Sequence, residues 1–246
     1  MTLSLLKSLP LAILMFSGIG EKTFNIDPFI SLDGSYLYKQ SSSTFINTAS
    51  ASAQLYDSLN LDELGLSTKA FTYAMEGYQK LKEDGVIHNT SVITIVDFDQ
   101  PSSQKRMYVI DLEHHKLLFN TWSAHGKNTG VEKAEYFSNQ PSSNKSSLGF
   151  FVTNNTYYGS KGYSLKLTGL EPRVNDNAFK RAIVLHGAWY VSQALINTQG
   201  YIGRSLGCPA VSTEMNRPII DAIKDGSLFF IYNSTYESSL QLPESF

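Results

Sequence analysis

The sequence predicts a mainly β chain, folded as a β-sandwich or barrel with a few flanking helices. Three observations carry this. Short apolar runs alternate with turn-forming residues from position 91 onward. One helix-periodic stretch precedes them and another lies near the end. The 14 Tyr, 14 Phe and 42% apolar residues are enough to fill a sizeable core.

The chain opens with Lys7 and then the apolar run Leu9-Pro10-Leu11-Ala12-Ile13-Leu14-Met15-Phe16. That run is too short to span a bilayer and fits the h-region of a secretory signal over residues 1–20. The expected location is therefore the periplasm or cell envelope. Residues 21–53 are rich in Ser, Thr and Asn and read as a spacer. Residues 54–90 read as a helical lead-in. Phe71, Met75, Tyr78 and Leu81 fall on one helical face, with Ser67 as N-cap and Gly85 just past the end.

Strands are expected at 92–96, 106–112, 116–124, 149–153, 164–167, 182–185 and 228–232, within a β-rich body over 91–236. A helix is expected at 214–224, capped by Ser212 or Thr213. A formal net charge of −2, without a basic stripe, argues against nucleic acid as a partner. One cysteine leaves no intramolecular disulfide and no cysteine-cluster metal site. No His-Glu-x-x-His or similar metal spacing occurs, and the Gly-rich segments lack the Lys-Ser/Thr of a phosphate loop. No metal or cofactor is expected.

The stretch that carries chemistry runs from 182 to 211. The apolar run Ile183-Val184-Leu185 delivers His186 to a strand end at Gly187. Gly200, Gly203 and Gly207 then lead into Cys208, the only cysteine. A thiolate is the reactive form of cysteine, and a neighbouring imidazole is expected to lower the thiol pKa and return the proton to a leaving amine. Backbone N–H groups of the 203–208 loop are candidate donors to a tetrahedral oxyanion. The alternative is a cysteine packed as a small hydrophobe.

His-Gly followed by Ser-x-Gly-Cys resembles the active-site motif of the YkuD-like L,D-transpeptidases, specifically the murein L,D-transpeptidase catalytic domain family. The likeness extends through YAMEGYQKL (73–81), DFDQPSSQKRMYVIDL (97–112), LLFNTWSAHGKNTG (117–130), FSNQPSSNKSSLGFFVT (137–153), GYSLKLTGLEP (162–172), NDNAFKRAIVLHGAWYVS (175–192) and GRSLGCPAV (203–211). The sequence departs from the wider family after the cysteine. Pro209 and Ala210 stand where an aliphatic residue and an arginine are usual, and Leu206 stands where histidine is common.

The resemblance implies the family's β fold and a cysteine acyltransferase acting on peptidoglycan stem peptides. Cys208 would be nucleophile and His186 the base, with the Gly187 carbonyl orienting His186. Release of D-alanine and a 3–3 cross-link would follow. Water as acceptor would make an L,D-carboxypeptidase, and a lapsed site would leave a peptidoglycan-binding module. Carbapenem acylation of Cys208 is a further implication. Arg204, Ser205, Gly207, His125, Gly126, Trp189 and Tyr190 are the substrate-binding candidates. Arg204 would meet a carboxylate, His125 and Gly126 would line the peptide groove, and Trp189 and Tyr190 would wall the cleft.

Rival constellations are weaker. Gly203-Arg204-Ser205-Leu206-Gly207 matches the nucleophile elbow of α/β-hydrolases, but all five histidines precede Ser205, and that fold needs one after it. Ser205 is expected to orient the loop or touch substrate. His125, in Ala124-His125-Gly126, is the second candidate base. His114-His115 and His88 read as surface residues. A cell-surface structural protein paired between chains through Cys208 is the remaining class.

Overall fold

A computed structural model describes residues 43–236, with side chains from residue 50. The expected signal at 1–20 and most of the 21–53 spacer lie outside the described residues. The last part of that spacer is helical: α1 spans Ser43–Ser58. A loop follows within the expected helical lead-in, with Asn60 and Gly65 at positive φ. Helix α2 spans Thr68–Glu83. Ser67 caps it, its hydroxyl accepting from Ala70 N, and Gly85 follows at φ +68°.

Eight strands form one sheet: β1 (Val92–Asp97), β2 (Met107–Asp111), β3 (Lys116–Thr121), β4 (Gly149–Gly159), β5 (Gly162–Gly169), β6 (Val184–Gly187), β7 (Ala210–Val211) and β8 (Leu228–Tyr232). Their spatial order is β3-β2-β1-β8-β4-β5-β6-β7. An antiparallel bridge from Ala124, just past β3, to Ala210 in β7 nearly closes this sheet into a barrel. The fold is mainly β, as the sequence predicts, with four helices among the described residues.

The central strands read as continuous apolar runs because both faces are covered. Every residue of β1 and β8 is buried. Helix α2 turns Ala70, Phe71, Ala74, Gly77, Tyr78 and Leu81 into this core. Gly77 is needed for the approach: a methyl group there would lie 2.1 Å from the Phe150 ring. Gly77→Ala is expected to destabilise the fold by about 1–3 kcal/mol through overpacking, read as a melting temperature lower by roughly 2–10 °C.

Helix α4 (Thr213–Ile223), capped by Ser212, buries Asn216, Ile219, Ile220 and Ile223. It packs on β5 and β6, the strands that carry the site. Two elements have no counterpart in the sequence reading: the short helix α3 (Gln193–Gln199) and the two-residue β7. Helix α3 ends at Gly200 in the left-handed conformation, φ +87°. No helix among the described residues is long and apolar enough to cross a membrane.

Candidate active site

Strand β6 holds the centre of the site. In its register His186 lies between Ser164 of β5 and Ala210 of β7, and Gly187 pairs with Val211. Cys208 sits two residues before Ala210. The chain therefore brings Cys208 to the entrance of the strand paired with that of His186, although α3 and a long loop separate them in sequence.

The loop bearing Cys208 is stapled at both ends to the segment after β3. Ala124 N donates to Ala210 O, Ser205 N to His125 O, and Lys127 N to Ser205 O, each at 2.8 Å. Between these staples the chain arches outward. Ser205 locks the arch: its hydroxyl accepts from Gly207 N at 3.0 Å and donates to Cys208 O at 2.6 Å. Ser146 ties the arch to the neighbouring segment, accepting from Gly126 N at 3.0 Å and donating to Gly207 O at 3.2 Å. Gly207 is fixed as glycine by φ +127° and by Lys145 O, which a methyl group would approach to 2.8 Å. Ser205 is buried, so it orients the loop and does not face a substrate.

His186 is buried, and its Nδ1 lies 3.0 Å from Gly187 O. A carbonyl only accepts, so Nδ1 carries the proton and Nε2 presents the lone pair. Burial holds the imidazolium pKa below its usual value, and the charge of Lys161 acts in the same direction. At neutral pH His186 is therefore an uncharged base.

Cys208 is half-buried and free. Its sulfur donates to Ala182 O at 3.6 Å, and no sulfur–imidazole hydrogen bond occurs among the described residues. Burial pushes the thiol pKa up, while a backbone hydrogen bond from Val184 and the charges of Arg181 and Lys161 pull it back. This corrects the expectation of an imidazole-lowered thiol: a neutral ring supplies no charge to stabilise a thiolate. The resting thiol bonds to Ala182 O, and the neutral imidazole bonds to Gly187 O.

His125 occupies a different environment from the one expected. It is fully buried, its Nδ1 accepting from Arg106 Nη2 at 2.7 Å and its Nε2–H donating to Gly130 O at 3.3 Å. Burial and the Arg106 charge push its pKa down to about 3. A ring sealed between these partners neither lines a groove nor serves as a second base. Gly126 is likewise buried, its N–H spent on Ser146.

Trp189 is exposed, and its ring meets Tyr190 edge-on, centroids 6.0 Å apart. Tyr190 is half-buried; its hydroxyl pKa is pushed up to about 12 by burial and then by the charge of Cys208. Arg204 is exposed, and its Nη1 donates to Lys127 O at 3.2 Å and Gly130 O at 3.1 Å. It braces the 127–130 loop and, among the described residues, pairs with no carboxylate. Three loop N–H groups expected as oxyanion donors are already taken: Gly203 by Tyr190 O, Ser205 by His125 O and Gly207 by the Ser205 hydroxyl. The Cys208 N–H has no such partner among the described residues.

The sequence reading missed Arg181 and Lys161. Arg181 lies just ahead of β6, and Lys161 lies between β4 and β5, joined at the Gly159–Gly162 pair. Both charges act on Cys208. Their only sequence signal is their place at the ends of strands that flank β6. Among the described residues no cluster could hold a metal ion.

A nearly closed sheet carries His186 at one strand end, and the free Cys208 lies on the arch that leads into the neighbouring strand. A family model described as the L,D-transpeptidase catalytic domain matches residues 62–232, and the chain belongs to that family. Among solved structures it is similar to an L,D-transpeptidase from Mycobacterium smegmatis, at 13% identity over 58% of this chain and 59% of that one, TM-score 0.37. It is also similar to one solved in complex with imipenem, at 15% identity over 58% and 59%, TM-score 0.37. A third is from Stackebrandtia nassauensis, at 14% identity over 68% of each chain, TM-score 0.35. The chain spans about three fifths of the first of these, 59% of its length. No curated protein sequence matches it.

Proposed function

We propose that the chain is a cysteine L,D-transpeptidase acting on peptidoglycan stem tetrapeptides. One observation carries this reading. Cys208 lies two residues ahead of Ala210, the strand partner of His186, and the His186 ring is held by Gly187 O so that its free lone pair is at Nε2. For attack, the sulfur must turn from Ala182 O toward that lone pair.

The step then balances simply. The thiol proton passes to His186 as sulfur attacks the carbonyl of the L-centre residue before the terminal D-alanine. The Cys208 N–H takes the oxyanion. The C–N bond breaks, and D-alanine leaves with the proton from His186. The amine of a second stem attacks the thioester, loses its proton to His186 and restores the thiol. Trp189 and Tyr190 wall the peptide, and Arg204 meets a donor carboxylate. The strained carbonyl of a carbapenem would acylate the same sulfur. The substrate lies outside the cytoplasm, where the apolar run 9–16 is expected to send the chain.

The test is incubation with purified tetrapeptide muropeptides. D-alanine release with a new dimeric muropeptide is the expected result. Release without a dimer would mean water is the acceptor. Retention on peptidoglycan without any release would overturn the reading and leave a binding module.

A further inference from the structure

We infer that Arg181 is a positioning residue whose guanidinium is the fixed positive charge facing the Cys208 sulfur. The inference rests on Cys208 being the nucleophile. Arg181 is half-buried just ahead of β6. Its Nη1 donates to Ser138 O at 2.7 Å and to the Ser147 hydroxyl. Its Nη2 donates to Lys145 O and to the Ser143 hydroxyl at 3.3 Å. All four acceptors are neutral, and Arg181 takes part in none of the ion pairs formed among the described residues.

A guanidinium withdrawn from water requires a counter-anion or pays in desolvation. The acidic group that acts on Arg181 is Cys208, and each favours the charged form of the other. The geometry agrees: a methyl group on Gly207, the residue before Cys208, would lie 3.3 Å from Arg181 Nη2. The other groups acting on the sulfur contribute less fixed charge. Lys161 is exposed on its hairpin tip and screened by solvent. His186 and Tyr190 are neutral at neutral pH. Arg181 is instead held by four bonds to the 138–147 segment, so its charge cannot swing away. Its role is to favour the thiolate as the proton moves to His186, without itself touching substrate.

The test is alkylation of the intact chain by iodoacetamide, a neutral probe, over roughly pH 6–11. Cys208 is the only cysteine, so the mass change reports that site alone. Arg181→Met is expected to raise the apparent thiol pKa by about one unit, making the reactive fraction about ten-fold smaller at a fixed pH below it. Arg181→Lys is expected to stay close to the parent, because it keeps the charge while losing the loop's bidentate anchor. Should the Met variant fail to fold by circular dichroism, Arg181→Gln replaces it, retaining amide donors without charge. An unchanged pH midpoint in the uncharged variant, or equal shifts in the Lys and uncharged variants, overturns the inference. Alkylation needs no peptidoglycan, so a chain that shows the shift but releases no D-alanine loses the proposed function and keeps this one.

Discussion

Cys208→Ala is expected to abolish D-alanine release, and His186→Ala to slow it by about 10²–10⁴-fold. The two losses differ in kind. Without sulfur there is no acyl-enzyme. Without the imidazole the thiol still exists, but its pKa has been raised by burial, so little thiolate forms near neutrality. The pH profile separates them further. Burial depresses the His186 pKa below its ordinary 6.5, so the base form persists into mildly acidic solution. The acid limb of kcat/KM is expected below pH 6.5 in the parent. In His186→Ala that limb should vanish, leaving a rate that climbs with hydroxide as the thiol ionises. Steady-state D-alanine release across pH checks both statements. An acid limb that survives in the alanine variant would belong to another group.

The second large effect concerns stability. The His125 ring sits near about 3 in the fold and at 6.5 in an unfolded chain. Between these values the unfolded chain binds a proton that the folded chain refuses, so stability falls as pH drops through that window. The loss approaches about 4–5 kcal/mol at the acid end, a large fraction of an ordinary folding free energy. His186 pulls the same way. Asp97, whose burial raises its pKa, pulls the opposite way, because its protonated form is favoured in the fold. Urea unfolding at stepped pH is expected to show a steep decline below 6.5 in the parent. His125→Asn should be less stable at pH 7, since the shorter side chain loses the bond to Gly130 O and the volume of the ring, but should show a flatter decline. An unchanged slope would place the acid sensitivity elsewhere.

The strands were legible in the sequence where their apolar runs are continuous, as in β1 and β8, because a strand buried on both faces leaves no other pattern. Ser67, Gly85 and Ser212 were legible for a local reason: a cap depends on its own turn. The two-residue β7 carries no period and exists only because His186 and Gly187 offer it a partner. The same limit misassigned His125. Ala124-His125-Gly126 and Leu185-His186-Gly187 look alike along the chain. They differ in what packs against each ring, a fully buried Arg106 in one case and the Gly187 carbonyl in the other. Arg181 was passed over because its acceptors lie on a segment far from it in sequence, and its nearness to Cys208 arises from the pairing of β6 with β7.

The proposed chemistry stands or falls on a covalent bond to one sulfur. The most direct measurement is the intact mass of the full chain, quenched in acid during turnover of a tetrapeptide stem and mapped by peptide digestion. The expected result is an added stem lacking its terminal D-alanine, attached at Cys208 and absent from Cys208→Ala. D-alanine released by the parent with no adduct at that residue, and equally by the alanine variant, would contradict it.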